Sequence, residues 1–116
     1  MRDIKFRAWD KLDKVMLTWE RIKREFTFEY FEDEGLEFMQ YTGLEDVHGV
    51  EIYEEDLLNC WYKAGEKIIV KVIYNKEYAS FEYKLIDCDL IGFNPGKIHK
   101  IEVIGNIHEN PELLEG

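Results

Sequence analysis

Cysteine, proline and serine are scarce in this chain of 116 residues, which has two cysteines, two prolines and one serine. Cys60 and Cys88 are too few for a disulfide framework and form no CxxC pair, so we expect reduced thiols in the core. Ser80 has no GxSxG around it, which argues against a serine hydrolase. Apolar runs stay short, and the first residues lack the apolar stretch of a signal peptide. We therefore expect a cytoplasmic protein without a membrane segment.

Motifs for phosphate and nucleotide binding are also missing. Gly43 and Gly49 stand outside the GxxxxGK[ST] and GxGxxG contexts, and their acidic neighbourhood repels phosphate. The best group for metal-dependent nuclease chemistry combines three carboxylates and a histidine: Glu51, Glu54, Asp56 and His48. Such groups arise by chance in an acidic stretch, and no complete catalytic constellation is present. We expect no enzyme activity, no cofactor and no metal.

Basic residues are absent from the middle of the chain. Residues 1–24 contain eight basic and four acidic side chains, residues 25–58 contain twelve acidic and none that is Lys or Arg, and residues 59–116 contain seven basic and nine acidic. The formal charge of −10 therefore lies in the middle third. Such a block repels phosphate backbones, so direct nucleic-acid binding is not expected.

The acidic block, residues 25–58, has three interpretations that the sequence leaves open. It can be a solvated surface that keeps the protein soluble, it can attract a basic partner, or it can pair with the basic N-terminal segment of its own or another chain. We select five of its members as a candidate interaction surface: Glu32, Asp33, Glu34, Glu45 and Glu55.

Alternation of apolar and polar residues predicts strands along most of the chain, and hence a mainly β fold. Ile4–Ala8 and Val15–Trp19, on either side of a polar turn, predict a first hairpin. Phe26–Tyr30 and Leu36–Met39 predict a second. The glycine-ended turns that follow place a subdomain boundary near residue 42.

Strands joined by tight turns continue beyond that boundary and predict a small barrel. The predicted strands are 57–62, 68–74, 78–86 and 98–107, with turns at 64–66, 75–77 and 94–97. Val50–Asp56 predicts a short strand and turn, and only Tyr53–Leu58 and Pro111–Leu114 leave room for a turn or two of helix. The chain has no internal repeat or low-complexity segment.

Three sequence blocks stand near the start, middle and end of the chain, at residues 4–10, 39–56 and 101–114. Their characteristic positions are Phe6, Arg7, Trp9, Asp10, Gln40, Tyr41, Thr42, Gly43, Asp46, Gly49, Ile52, Tyr53, Asp56, Gly105, Asn106, Asn110 and Pro111. Together they resemble the YopX family, small proteins of phages and prophages without an established activity. The resemblance implies a phage or prophage origin, the cytoplasm of a bacterial host, and a β-rich N-terminal part, with room for an α+β arrangement, before an SH3-like small barrel.

We divide the single compact unit into N-terminal β hairpins at 1–42 and an SH3-like barrel with a C-terminal tail at 43–116. One position departs from the family pattern, which has Gly-Asp where this chain has Glu55 and Asp56. Glutamate is costlier than glycine in a turn that requires a positive φ. Trp9 has two interpretations, a plug between the subdomains or a stacking platform.

Two non-catalytic functions remain for this sequence. One is an accessory module that binds a protein partner or assembles into a homo-oligomer through strand edges and its oppositely charged segments. The other is an acidic DNA mimic that captures a nucleic-acid-binding protein of the host; a metal-dependent nuclease ranks third. Mimicry predicts carboxylates in rows at phosphate-like spacing, whereas a module predicts a contiguous apolar patch.

Overall fold

The protein structure is a computed structural model that describes residues 4–25, 27–62, 67–86 and 98–115, and strands dominate these ranges. The first antiparallel sheet contains β1 (Phe6–Asp10), β2 (Val15–Leu17), β3 (Leu36–Glu45) and β4 (Glu51–Tyr53), in the order β2-β1-β3-β4. The second contains β5 (Asp56–Tyr62), β6 (Lys67–Asn75), β7 (Ser80–Leu85) and β8 (Ile98–Asn106), in the order β7-β6-β5-β8. The mainly β fold is therefore confirmed, and one of the two sheets curls into a half-barrel. The predicted turns at 64–66 and 94–97, and Cys88, lie outside the described residues.

The first hairpin forms as predicted. Ala8 of β1 lies opposite Leu17 of β2. Its turn is held by Asp10, whose Oδ1 accepts hydrogen bonds from the backbone N–H groups of Leu12 and Asp13 at 2.9 and 3.0 Å. These local bonds let a short polar turn connect the two strands.

The second predicted hairpin is wrong, although its second strand, Leu36–Met39, lies within β3. Helix α1 (Trp19–Glu25) follows β2, and Phe28–Glu32 is a 3-10 helix. The Thr18 hydroxyl caps α1 by accepting the Arg21 N–H at 3.3 Å, and Ile22 is buried with the core residues of β1 and β2. In the 3-10 helix, the Phe28 ring contacts the Phe31 ring and Phe31 stacks on Phe38, and these contacts replace the predicted strand.

Apolar side chains of both sheets form the core of the second half of the chain. Its buried members are Ile52, Leu58, Cys60, Val70, Val72 and Tyr83. Cys60 is a free thiol without exposed surface, as predicted, and burial raises its pKa to about 12. The helix predicted at 53–58 is wrong, because β4 and β5 are joined there by a tight turn. A 3-10 helix at Pro111–Glu115 agrees with the short helix predicted near the C-terminus.

Asp46 fastens the end of the first sheet to the edge of the second. Its Oδ1 accepts the backbone N–H groups of His48 and Val50 at 2.8 and 2.9 Å, and its Oδ2 accepts that of Val103 in β8 at 2.9 Å. β3 runs through the boundary predicted near residue 42, and the division into subdomains stays a prediction. Among the described residues, no helix combines the length and the apolar character needed to cross a membrane.

Candidate functional site

The acidic block divides into an exposed half and an inward half. Six of its twelve acidic side chains are exposed: Glu25, Glu29, Glu32, Asp33, Glu34 and Glu45. The other six are partly or fully buried: Glu37, Asp46, Glu51, Glu54, Glu55 and Asp56. Four of the five predicted interaction residues are thus exposed, whereas Glu55 is not, contrary to expectation. Only part of the block is available as a solvated or binding surface.

Arg7 neutralises the most buried carboxylate of the block. Its Nη2 lies 2.8 Å from Asp56 Oδ1 and donates to the Glu54 carbonyl at 3.1 Å, while its guanidinium stands 4.8 Å from the centre of the Tyr53 ring. Asp56 Oδ2 accepts the Tyr53 N–H at 2.7 Å. Burial raises the pKa of Asp56, and the Arg7 guanidinium and this hydrogen bond oppose the shift. The pair joins β1 of the first sheet to β5 of the second.

A second ion pair, between Lys5 and Glu51, lies beside the first. The Lys5 ammonium is also 5.3 Å from the centre of the Tyr41 ring. The basic N-terminal segment therefore pairs with the acidic block within one chain. Both pairs line a groove of about 440 Å³ between the sheets. Each of the two cations in its wall faces a carboxylate, and Glu20 adds a third acidic side chain, so the groove is not an anion site.

Glu37, Glu55 and His108 form a separate polar cluster. His108 Nε2 lies 2.6 Å from Glu55 Oε2 and 2.7 Å from Glu37 Oε2. The His108 ring stacks on Trp9, with ring centres 5.3 Å apart and planes 20° from parallel. Burial and the hydrogen bond that the protonated Glu55 carboxyl donates to Glu37 raise the pKa of Glu55, and His108 opposes the shift. Trp9 therefore joins β1 to the segment after β8 through a contact within its own chain.

Glu55 occupies the turn between β4 and β5 with a φ of 68°, in the left-handed region that favours glycine. This is the position where the family pattern has glycine. The Glu55 N–H donates to the Val72 carbonyl at 2.8 Å, and its carbonyl accepts the Ile107 N–H at 3.1 Å. Both bonds hold the turn, so this chain keeps the glycine conformation while adding a carboxylate that reaches His108.

The nuclease-type group predicted from the sequence is not brought together. Asp56 faces Arg7, Glu51 faces Lys5, Glu54 Oε1 accepts the backbone N–H of Gln40 at 2.8 Å, and His48 is exposed and 3.1 Å from Glu102. Among the described residues, Glu37, Glu55 and His108 make up the one group of three whose donor atoms lie within metal-ligating reach of one another. Sequence reasoning missed this group because its members lie on distant segments.

Other motif positions shape the backbone around these clusters. Gly43 and Gly49 have φ values of 92° and 80° in and after β3. Gly105 passes so close to Asn110 that a Cβ there would lie 2.6 Å from the Asn110 Cγ. Asn110 Oδ1 accepts the Asn106 N–H at 3.2 Å, and the Asn110 N–H donates to the Asn106 carbonyl at 3.0 Å. These contacts fix the segment that carries His108.

An aromatic patch lies on the face of the first sheet opposite to Arg7 and Trp9, and it was also missed. It consists of Phe6, Trp19, Phe28, Phe31 and Phe38. Phe31 stacks on Phe38 with ring centres 4.6 Å apart and meets Phe6 edge-on at 6.4 Å. Phe28 lies against Phe31 at 6.5 Å, yet 90% of its surface is exposed. A strand at 26–30, as predicted from the sequence, does not bring these rings together.

Comparison with known proteins places the chain in a family. No curated protein matches it. The crystal structure of protein EF1440 from Enterococcus faecalis is similar, with 28% sequence identity, coverage of 98% of this chain and 99% of that chain, and a TM-score of 0.67. Protein yopX from Bacillus subtilis shares the fold at 18% identity, with 97% and 98% coverage and a TM-score of 0.63. The family profile described as YopX protein matches residues 5–115, and the chain therefore belongs to the YopX family.

Proposed function

We propose that the protein is a non-catalytic accessory module of a phage or prophage that binds a protein partner through its aromatic patch. The observation that carries this proposal is the 90% exposure of Phe28 at the edge of a cluster of aromatic rings. Fully burying a phenylalanine side chain contributes about 1.5–3 kcal/mol. Exposed aromatic clusters of this kind are typical of binding surfaces, where a few large side chains supply most of the affinity.

The rest of the patch supports Phe28 as an ordered platform. Phe31 is held between Phe38 and Phe6, and Phe6 meets Trp19 at a ring distance of 5.9 Å. Side chains that are already ordered lose little conformational entropy on binding. A partner therefore meets a preformed apolar surface.

The acidic residues near the patch indicate the chemistry of the partner. Glu29, Glu32 and Asp33 are exposed and flank Phe28 and Phe31 in the sequence. A partner that combines an apolar pocket with a basic rim complements this surface, and opposite charges accelerate the encounter. Two copies of this chain would instead bring acidic rims together, so this surface favours a different protein over a second copy.

Binding through this patch is tested with the immobilised protein in a bacterial lysate, with mass spectrometry of the retained proteins. Phe28→Ala is compared with Leu12→Ala, because Leu12 is an equally exposed apolar residue, at 87%, in the turn after β1. We expect Phe28→Ala to lose the partner and Leu12→Ala to keep it. Equal retention by wild type and Phe28→Ala would contradict the proposal.

The same assay separates the module from a DNA mimic. A variant in which Glu32, Asp33, Glu34 and Glu45 are replaced by their amides removes exposed charge and leaves the aromatic patch intact. A mimic loses its partner in this variant but not in Phe28→Ala, and the proteins it retains bind nucleic acid. A module instead loses its partner in Phe28→Ala. Removing the exposed charges only weakens its binding, by an amount that depends on the salt concentration.

The edge of the second sheet supports self-assembly as a second candidate function. β7 pairs with β6 on one side and is an edge strand among the described strands. If two copies pair antiparallel about Tyr83, Glu82 of each copy lies opposite Lys84 of the other, which places opposite charges across the new ladder. The strand is therefore complementary to itself.

This homo-oligomer is tested by sedimentation velocity at several protein concentrations. Glu82→Lys places two lysines opposite each other and is expected to shift the protein toward the monomer, whereas Glu82→Lys combined with Lys84→Glu restores the complementary pattern and the association. A wild type that stays monomeric at tens of micromolar, or an association indifferent to both variants, would exclude pairing through β7.

A further inference from the structure

We propose that Glu37, Glu55 and His108 bind a divalent transition-metal ion, with Zn²⁺ as the representative cation. Their donor atoms lie within 4.8 Å of one another. An imidazole nitrogen and two carboxylate oxygens are a donor set that suits zinc and its neighbours in the first transition row. This site is independent of the aromatic patch and of the protein-binding function proposed above.

The contacts within the cluster differ from those of an ordinary ion pair. One nitrogen, His108 Nε2, faces two carboxylate oxygens at 2.6 and 2.7 Å. A ring nitrogen carries at most one proton, and a single N–H cannot be directed at both oxygens. A divalent cation between the three atoms contacts all of them at once and neutralises both carboxylates. The exposed pair of His48 and Glu102 has one carboxylate and lacks this crowding.

The fold holds the donors before any cation arrives. His108 is stacked on Trp9, and its backbone N–H donates to Asn106 Oδ1 at 3.0 Å. The Ile107 N–H donates to the Glu55 carbonyl at 3.1 Å, which ties the segment of the histidine to the turn of the glutamate. Glu37 lies opposite Trp9 in the ladder between β1 and β3. Donors fixed in this way lower the entropic cost of binding.

Coordination requires only a small movement of these side chains. Zinc bonds of about 2.0–2.2 Å at tetrahedral angles place neighbouring donor atoms about 3.4 Å apart, so the nitrogen and oxygens separate by less than about 1 Å. Three protein ligands leave a fourth position for water, on the side where Glu37 is 38% exposed. Magnesium and calcium prefer sites made of oxygen alone, so we expect them to bind more weakly.

The site is tested by isothermal titration calorimetry of chelator-treated protein with ZnCl₂. We expect one ion per chain in the wild type, and at least tenfold weaker binding in each of Glu37→Gln, Glu55→Gln and His108→Gln. His48→Gln is the matched control, because it removes a histidine that contacts one carboxylate, and it should bind zinc as the wild type does. MgCl₂ should give no comparable heat.

Two further measurements keep the test decisive. Circular dichroism melts identify any variant that fails to fold, and Glu37→Gln carries the test in that case, because it preserves side-chain shape at a half-exposed position. The visible absorption of bound Co²⁺ reports a nitrogen and oxygen ligand field that should be lost in the same three variants. No zinc binding in the wild type, or binding that persists in folded Glu37→Gln and His108→Gln, would overturn the proposal.

Discussion

The turn at Glu55 allows the cost of a left-handed residue to be measured. Its φ is 68°, and the hydrogen bonds to Val72 and Ile107 prevent the turn from relaxing. A residue with a Cβ pays about 1–2 kcal/mol for this conformation. Glu55→Ala and Glu55→Gly both remove the contacts of the carboxylate with His108 and Glu37. The difference between the two variants therefore isolates the backbone.

We expect Glu55→Gly to be more stable than Glu55→Ala by about 1 kcal/mol. Glycine removes the left-handed penalty, and this gain is partly offset by the extra entropy of about 0.4–1 kcal/mol that it gives the unfolded chain. For a domain near 100 residues, 1 kcal/mol corresponds to a difference in Tm of about 4–8 °C. Urea unfolding followed by tryptophan fluorescence, in a buffer with chelator, measures the free energy of unfolding directly.

Glu45 supplies the control pair, because it is exposed at the end of β3 and is not among the described residues with positive φ. There glycine should be less stable than alanine, since it adds unfolded-state entropy without relieving strain. If Glu55→Ala were as stable as Glu55→Gly, or if both positions ranked glycine and alanine in the same order, the backbone argument for Glu55 would be refuted.

Three further outcomes are expected. Burial raises the pKa of Asp46, but its three backbone N–H donors outweigh burial and lower the pKa overall. The stability that this carboxylate contributes is therefore present above about pH 4 and is lost as the pH falls through the folded-state pKa. Urea titrations should show that acid reduces the free energy of unfolding less in Asp46→Asn than in the wild type. Gly105→Ala places a Cβ against Asn110 and should destabilise the fold by about 1–3 kcal/mol, measured from its Tm. In a Cys88→Ser background, folded Cys60 should resist a thiol reagent at pH 8, because burial raises its pKa to about 12 and keeps it protonated. In urea, unfolding exposes the thiol and it should react.

Local patterns predicted the parts of the fold that local contacts decide. The alternation and polar turn around Asp10 predicted the β1–β2 hairpin, because the same few residues form both the strands and the turn. Helix α1 also had local signals: Thr18 before its first turn, and Glu25 four residues after Arg21, where the two side chains pair at 2.9 Å. The aromatic alternation at 26–30 predicted a strand wrongly, because alternation is also produced by a 3-10 helix that packs its aromatic side chains against a neighbouring sheet.

The clusters around Arg7 and His108 depend on contacts between residues that are far apart in the sequence. His108 and Glu55 are 53 residues apart, and Arg7 and the Glu54 carbonyl are 47 apart. Charge counting predicted that the basic N-terminal segment can pair with the acidic block, but not which residues meet. The sequence also could not separate exposed from buried carboxylates, because burial is decided by the turn between β4 and β5 and by the position of β8.

The position of β8 also constrains the order in which the molecule is assembled during synthesis. β8 is the last of the described strands, and it covers one side of β5 from Asp56 to Tyr62 while providing the Val103 N–H to Asp46. A nascent chain that has emerged only through β7 lacks all of these contacts, so the outer edge of β5 is unprotected on the ribosome. Closing the segment between β5 and β8 costs entropy before any contact is gained. Folding therefore finishes late, and the exposed edge of β5 makes the interval before β8 emerges the period of greatest risk of aggregation.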